Sequence, residues 1–180
     1  MKVMKMIDEE MEEALNQQIN AEFYSAYIYL SMASEFASRS LDGFETWMHS
    51  QFIEEINHGM RLYQYVNSRG GRVELEAIEK PKIEWDSPLE MFKEAYEHEQ
   101  YVTGRINELA DLAEKKNDRA TLQMLQWFID EQVEEEESSE AIVDKLEMIG
   151  DDYRGLMMLD KELGQRPMET VFPVKGKDDE

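Results

Sequence analysis

The sequence predicts an all-α protein: a four-helix bundle with one long crossover and a short fifth helix near its C-terminal end. Three observations carry that prediction. Four long stretches have apolar residues at helical spacing, strong breakers separate them, and one connecting segment has no helical period. The first helix is expected over 8–37, the second over 44–69, the third over 88–116 and the fourth over 118–149. Ser40-Leu41-Asp42-Gly43 forms the first loop and Gly70-Gly71 stops the second helix. Ser87-Pro88-Leu89-Glu90 is a capping box with Pro at the first helical position, so it opens the third. Lys116-Asn117-Asp118 is a tight turn into the fourth, which Gly150 ends.

Loop length then sets topology. Short loops make the first and second helices, and the third and fourth, antiparallel hairpins. Residues 71–87 contain Pro81 and alternate at Val73, Leu75 and Ala77. Extended at about 3.3–3.6 Å per residue, such a segment crosses the length of a bundle. A fifth helix over 151–163 has an apolar side of Leu156, Met157, Leu159 and Leu163, which is expected to bury against another subunit or else dock on its own bundle. One domain over 1–165 and a disordered tail over 166–180 complete the organisation.

Of 180 residues, 42% are hydrophobic, enough for one domain with a proper core. Lys plus Arg is 19 against 41 Asp plus Glu, a net charge of −22. A chain this acidic repels nucleic acid and anionic membrane and attracts cations. With no cysteine, disulfides, thiolate metal sites and cysteine nucleophiles are excluded. No stretch is long and apolar enough to span a bilayer and the N-terminal stretch lacks an apolar signal core, so a cytoplasmic location is expected.

The chemistry lies in the seams. Written as alternating three- and four-residue steps, each helix has one glutamate near the middle of its core-facing side: Glu22, Glu55, Glu99 and Glu135. Apolar residues flank Glu22, at Ile19 and Ala26, and Glu99, at Ala95 and Val102. His58 lies one turn beyond Glu55 on the same face. No seam contains Lys or Arg. Four buried carboxylates without an internal cation are untenable, because one unpaired buried charge already costs several kcal/mol. Either the glutamates are protonated or outside cations bind, and two divalent metals neutralise four carboxylates. An oxygen-rich set with one imidazole disfavours thiolate-preferring metals, structural zinc, Ca²⁺ and Mg²⁺; iron or manganese fits best. Tyr29, two turns from Glu22 on the same seam, is either an ordinary core tyrosine or a phenol able to supply an electron to such a site.

A second acidic group adjoins the first. At 100° per residue, Glu131 lies about 40° and Glu134 about 100° from Glu135 around the fourth helix. Glu54 precedes Glu55 on the second. Glu54, Glu131 and Glu134 are expected to converge on an accessory metal position sharing Glu135.

The runs at 16–27 (Asn-Gln-Gln-Ile-Asn-Ala-Glu-Phe-Tyr-Ser-Ala-Tyr), 54–58 (Glu-Glu-Ile-Asn-His), 96–99 (Tyr-Glu-His-Glu) and 131–136 (Glu-Gln-Val-Glu-Glu-Glu) resemble ferritin, in particular its haem-free prokaryotic branch. The resemblance spans about 8–163. It implies a ferritin-like bundle, a homo-oligomeric shell of twenty-four subunits, and a di-iron ferroxidase centre that oxidises Fe²⁺ with O2 or peroxide and stores ferric mineral inside. By motif, one iron takes Glu22, Glu55 and His58; the other takes Glu55, Glu99 and Glu135, with Gln132 nearby. Prokaryotic ferritins of this kind have an accessory site, matching Glu54, Glu131 and Glu134. Two departures narrow the branch. Glu135-Glu136-Glu137-Ser138 lacks the second histidine of bacterioferritins, and Ile56 stands where their haem-ligating methionine would be, so no haem is expected. Leu122 and Leu125 occupy positions where many animal ferritins line a threefold channel with acids. Two competing functions remain: a di-metal redox enzyme that stores nothing, and an acidic bundle without metal.

Overall fold

A computed structural model describes residues 5–167, 170 and 171. Among them are five helices and no strand: α1 (Glu9–Ser38), α2 (Asp42–Ser68), α3 (Pro88–Lys115), α4 (Arg119–Ile149) and α5 (Tyr153–Leu163). The helix ends follow local chemistry. The Asp8 side chain caps α1, Ser87 caps α3, and Asp118 caps α4. At Ser87 the reciprocal arm of the capping box is shifted, since Glu90 Oε2 accepts from Asp86 N at 2.6 Å. The first three helices close with left-handed residues, Ser40 (φ 56°), Gly70 (φ 73°) and Asn117 (φ 55°), each followed by an N–H that returns to the last turn.

α2 begins two residues earlier than expected, and a remote partner explains it. Leu41 at the N-cap offers no side-chain bond. Asp160 of α5 supplies it instead, accepting from Gly43 N at 2.9 Å and Phe44 N at 3.1 Å. α5 reaches that position because Gly43 has no side chain: a Cβ there would lie 1.6 Å from the Asp160 carbonyl oxygen. The fifth helix thus docks on its own bundle, burying Leu159 and Leu163 and half-burying Leu156, while Tyr153, Met157 and Met158 stay exposed. The apolar side expected to face another subunit therefore buries Leu159 and Leu163 on its own bundle and leaves Met157 exposed.

α1 packs along α2 and α3 along α4, with α1 and α3 also in contact. The crossover runs the length of α1. Asn16 bonds to Arg72 O and Glu74 N, Asn20 to Ala77 O, Ser31 to Lys82 O, and Arg39 to Trp85 O. From Asn16 to Arg39 is about 35 Å of helix at 1.5 Å per residue. Trp85 plugs into the core at the far end.

The core is in two halves. One contains Tyr29, Phe36, Phe44, Trp47 and Phe92; the other Leu15, Ile19, Leu62, Ile106 and Phe128. Between them lies a buried polar layer holding all four seam glutamates and His58. No helix among the described residues is long and apolar enough to cross a membrane.

Candidate metal centre

One glutamate from each long helix builds the layer, with His58 of α2 added, and the apolar core halves on either side fix its depth. Glu22, Glu55 and Glu99 are each 1% exposed and Glu135 is 7% exposed. Glu22, Glu55 and His58 each present a ligand atom within 4.8 Å of the others. Their hydrogen bonding is incomplete. As carboxylates, both oxygens of Glu55 and Oε2 of Glu22 are buried without a partner, and so is Nδ1 of His58, 3.7 Å from Glu55 Oε2. Buried polar atoms are nearly always satisfied, so four orphans on three residues whose ligand atoms converge mark a place for a cation. Oxygen donors with a single imidazole suit a divalent first-row metal. The imidazole is braced by the ring edges of Trp127 and Phe128, and its Nε2 faces Glu131 Oε2 at 4.0 Å. A proton on Nε2 leaves Nδ1 free to ligate.

Glu99 and Glu135 are held differently. Tyr29 donates its hydroxyl to Glu99 Oε1, and Gln132 Nε2 donates to Glu99 Oε2 at 3.2 Å. Gln51 Nε2 donates to Glu135 Oε2 at 2.6 Å. Burial pushes Glu55 well above the usual carboxylate range, and the charges of Glu99, Glu22 and Glu135 add to it. Burial also raises Glu99, against the opposing bonds from Tyr29 and Gln132. Glu135 rises to about 8, through burial first and then the charges of Glu99 and Glu54. The Tyr29 hydroxyl, fully buried beside Glu99, is pushed well above its ordinary value and stays protonated. Without cations the layer stores protons; divalent ions would displace them.

The accessory group is looser. Glu54 is mostly buried, Glu131 is about one-third exposed and Glu134 is exposed. Among the described residues the compact ligand cluster comprises Glu22, Glu55 and His58 alone. Both oxygens of Glu54 accept from Arg166 Nη2, at 2.9 and 2.7 Å. Arg166 falls in the tail expected to be disordered, yet it is half-buried against α2; positions 168, 169 and 172–180 of that tail lie outside the described residues.

Sequence reasoning missed the supports. Arg105 Nε donates to Gln18 Oε1 at 2.8 Å, and Gln18 Nε2 donates to Glu22 Oε1 at 2.8 Å. Arg166 Nη1 donates to Gln51 Oε1, whose amide holds Glu135. A signal existed for Gln18, four residues before Glu22 on the same face, where Gln–acid pairs meet. None existed for Arg166. His98, paired with Ser25 Oγ at 2.7 Å and pushed by burial down to about 4, was likewise unassigned.

Known proteins resemble this chain in sequence and fold. A family model for the ferritin-like domain matches residues 12–149. The bacterial non-heme ferritin of Staphylococcus aureus (strain USA300) is 41% identical over 164 residues, spanning 91% of this chain and 99% of that protein. That of Staphylococcus saprophyticus is 43% identical over 164 residues, spanning 91% of this chain and 98% of its own. Among solved structures, an open pore ferritin from the hyperthermophilic archaeon Archaeoglobus fulgidus superposes with a TM-score of 0.89 at 56% sequence identity, covering 89% of this chain and 99% of that one. With likeness of this depth running through the four helices that build the polar layer, the chain belongs to the ferritin family.

Proposed function

We propose that the polar layer is a ferroxidase centre and that the protein stores iron. Iron is the substrate. One Fe²⁺ takes Glu22, Glu55 and His58; a second takes Glu55, Glu99 and Glu135, with Glu55 between them and Gln132 holding Glu99. Each Fe²⁺ gives up one electron, and O2 or peroxide accepts the pair. Tyr29, bonded to Glu99, lends an electron to the oxidant and recovers it from an Fe²⁺ of the pair, so the net two electrons still come from iron. Glu54, Glu131 and Glu134 form an accessory position through which oxidised iron leaves the pair. The product accumulates as ferric mineral within a homo-oligomeric shell of twenty-four subunits. Ile56 beside the bridging glutamate offers no haem ligand, so the centre works without haem, in the cytoplasm.

The orphaned donor set of Glu22, Glu55 and His58, buried at the midpoint of the bundle, is the observation that carries this reading. The test is aerobic Fe²⁺ addition to metal-free protein, with particle mass measured on the same sample. The first two irons per subunit are expected to oxidise fastest, and iron to stay with a large particle. Glu55→Ala removes a ligand from both positions and is expected to abolish the fast phase while leaving the particle intact. A normal fast phase in that variant sinks the assignment; oxidation by a small particle that retains no iron leaves the centre but removes storage.

A further inference from the structure

The chain does not leave the bundle when α5 ends. A Cβ on Gly164 would lie 3.3 Å from Gly43 Cα, so the segment starts pressed against the first turn of α2. The Arg166 guanidinium then sits 5.0 Å from the centre of the Trp47 ring, donates to Gln51 Oε1, and donates to both oxygens of Glu54. Further on, Asn57 Nδ2 donates to Thr170 O at 3.1 Å. Gly43, Trp47, Gln51, Glu54 and Asn57 are spaced by three and four residues, which makes them one stripe of α2. Gly164, Arg166 and Thr170 thus meet that stripe in the order of the helix, as a strap along it.

What the strap places on Glu54 is a positive charge. Glu54 adjoins the bridging Glu55, and its charge is felt by Glu135. One guanidinium nitrogen engages both Glu54 oxygens, the atoms an accessory metal would need. The same guanidinium fixes the Gln51 amide on Glu135 Oε2, another atom a metal would need. A metal on Glu54 would compete with this guanidinium for the same two oxygens and meet its positive charge at close range.

We propose that Arg166 is a chain-tethered competitor for metal at the accessory carboxylates: it holds Glu54 closed, and a third ion is admitted only when the strap lifts. The proposal rests on the accessory-site reading above. It also links the positions. An ion drawn to Glu135 displaces the Gln51 amide, Gln51 then holds Arg166 less well, and the strap is loosened by loading of the pair beside it. By linkage, a strap already lifted favours the ion at Glu135.

The test uses the full-length, metal-free protein without oxygen and Zn²⁺ as the redox-inert probe. Equilibrium titration gives the affinity of each equivalent, and zinc-soaked crystals show where each sits. A charge-assisted hydrogen bond contributes about 1.5–3 kcal/mol, so Arg166→Gln is expected to tighten the third zinc by about tenfold to a hundredfold. The first zinc equivalent, at Glu22, Glu55 and His58 with Glu135 still empty, shares no partner with Arg166 and serves as the internal reference. Arg166→Lys keeps the charge without the two-pronged geometry and is expected to fall between. Adding Glu54→Gln to Arg166→Gln is expected to abolish the gain. Equal affinity for the third zinc in the parent and Arg166→Gln overturns the gate while leaving the accessory site standing. No zinc at Glu54 in Arg166→Gln overturns the accessory site and the gate with it.

Discussion

Replacing Glu135 by Gln tests whether the polar layer is held against its own charge. In the folded protein Glu135 titrates at about 8, against an ordinary 4.5. The sign follows from proton counting. Between those values the folded chain keeps a proton that the unfolded chain has released, so unfolding is favoured as pH rises. Stability is greatest below about 4.5, falls across the window and levels off above about 8. Each pH unit is worth about 1.4 kcal/mol, so the loss is on the order of 5 kcal/mol for this group alone. Shared titration with Glu99 spreads it over a wider range. Denaturant unfolding of metal-stripped protein, at fixed subunit concentration and at pH 5 to 8, measures the slope. The parent is expected to weaken steadily and Glu135→Gln to weaken less, ending more stable at pH 8. Saturating Zn²⁺ is expected to flatten the parent's slope, since the ions expel the protons. A metal-free parent equally stable at pH 5 and pH 8, or a variant with the parent's slope, refutes the argument.

Two other outcomes follow from single contacts. Tyr29→Phe removes the hydroxyl that holds Glu99 down in pKa, so protons compete better there; the second zinc equivalent is expected to weaken by about tenfold at pH 6.5, and an unchanged titration would discount the bond. Gly43→Ala puts a Cβ on the Asp160 carbonyl oxygen and expels α5, costing about 3 kcal/mol or more through the lost cap and the uncovered Leu159 and Leu163; amide exchange should show α5 unprotected, and full protection would contradict the close approach.

The helices and the glutamate layer were legible because both are periodic signals. A carboxylate on an apolar seam is an anomaly that one helix can show by accident, but four at a common depth with His58 one turn on cannot be explained by solvation. What escaped notice depends on partners far apart in sequence. Nothing near Leu41 announces the cap of α2, because the capping carboxylate is Asp160. The fifth helix reads as one apolar face, yet Gly43 lets Leu159 and Leu163 bury at home and leaves Met157 and Met158 outside. Arg166 lies in a stretch with no period at all, and only the return of the chain to α2 gives it meaning. Glu54 and Glu131 were legible as acids beside the pair, but a guanidinium on Glu54 was not.

The supports leave the layer's carboxylates without a counter-charge. An arginine placed directly among the four seam glutamates would satisfy them and close the site. Instead Arg105 reaches Glu22 through Gln18, and Arg166 reaches Glu135 through Gln51. Each glutamine carries an oriented amide dipole into the layer while its arginine remains outside. A neutral hydrogen bond is worth about 0.5–1.5 kcal/mol, enough to fix a side-chain orientation but not to neutralise a buried charge. The outer ligands are therefore aimed without being satisfied. Glu55, between them, receives no such support as a carboxylate, and both its oxygens are left over. The least satisfied group is the one that both ions would share, so each ion that binds relieves the same carboxylate and lowers the cost of ionising Glu22, Glu99 and Glu135 around it. Metal uptake by the two positions should on this basis be coupled through Glu55, and the orienting glutamines act by keeping the flanking carboxylates turned toward it.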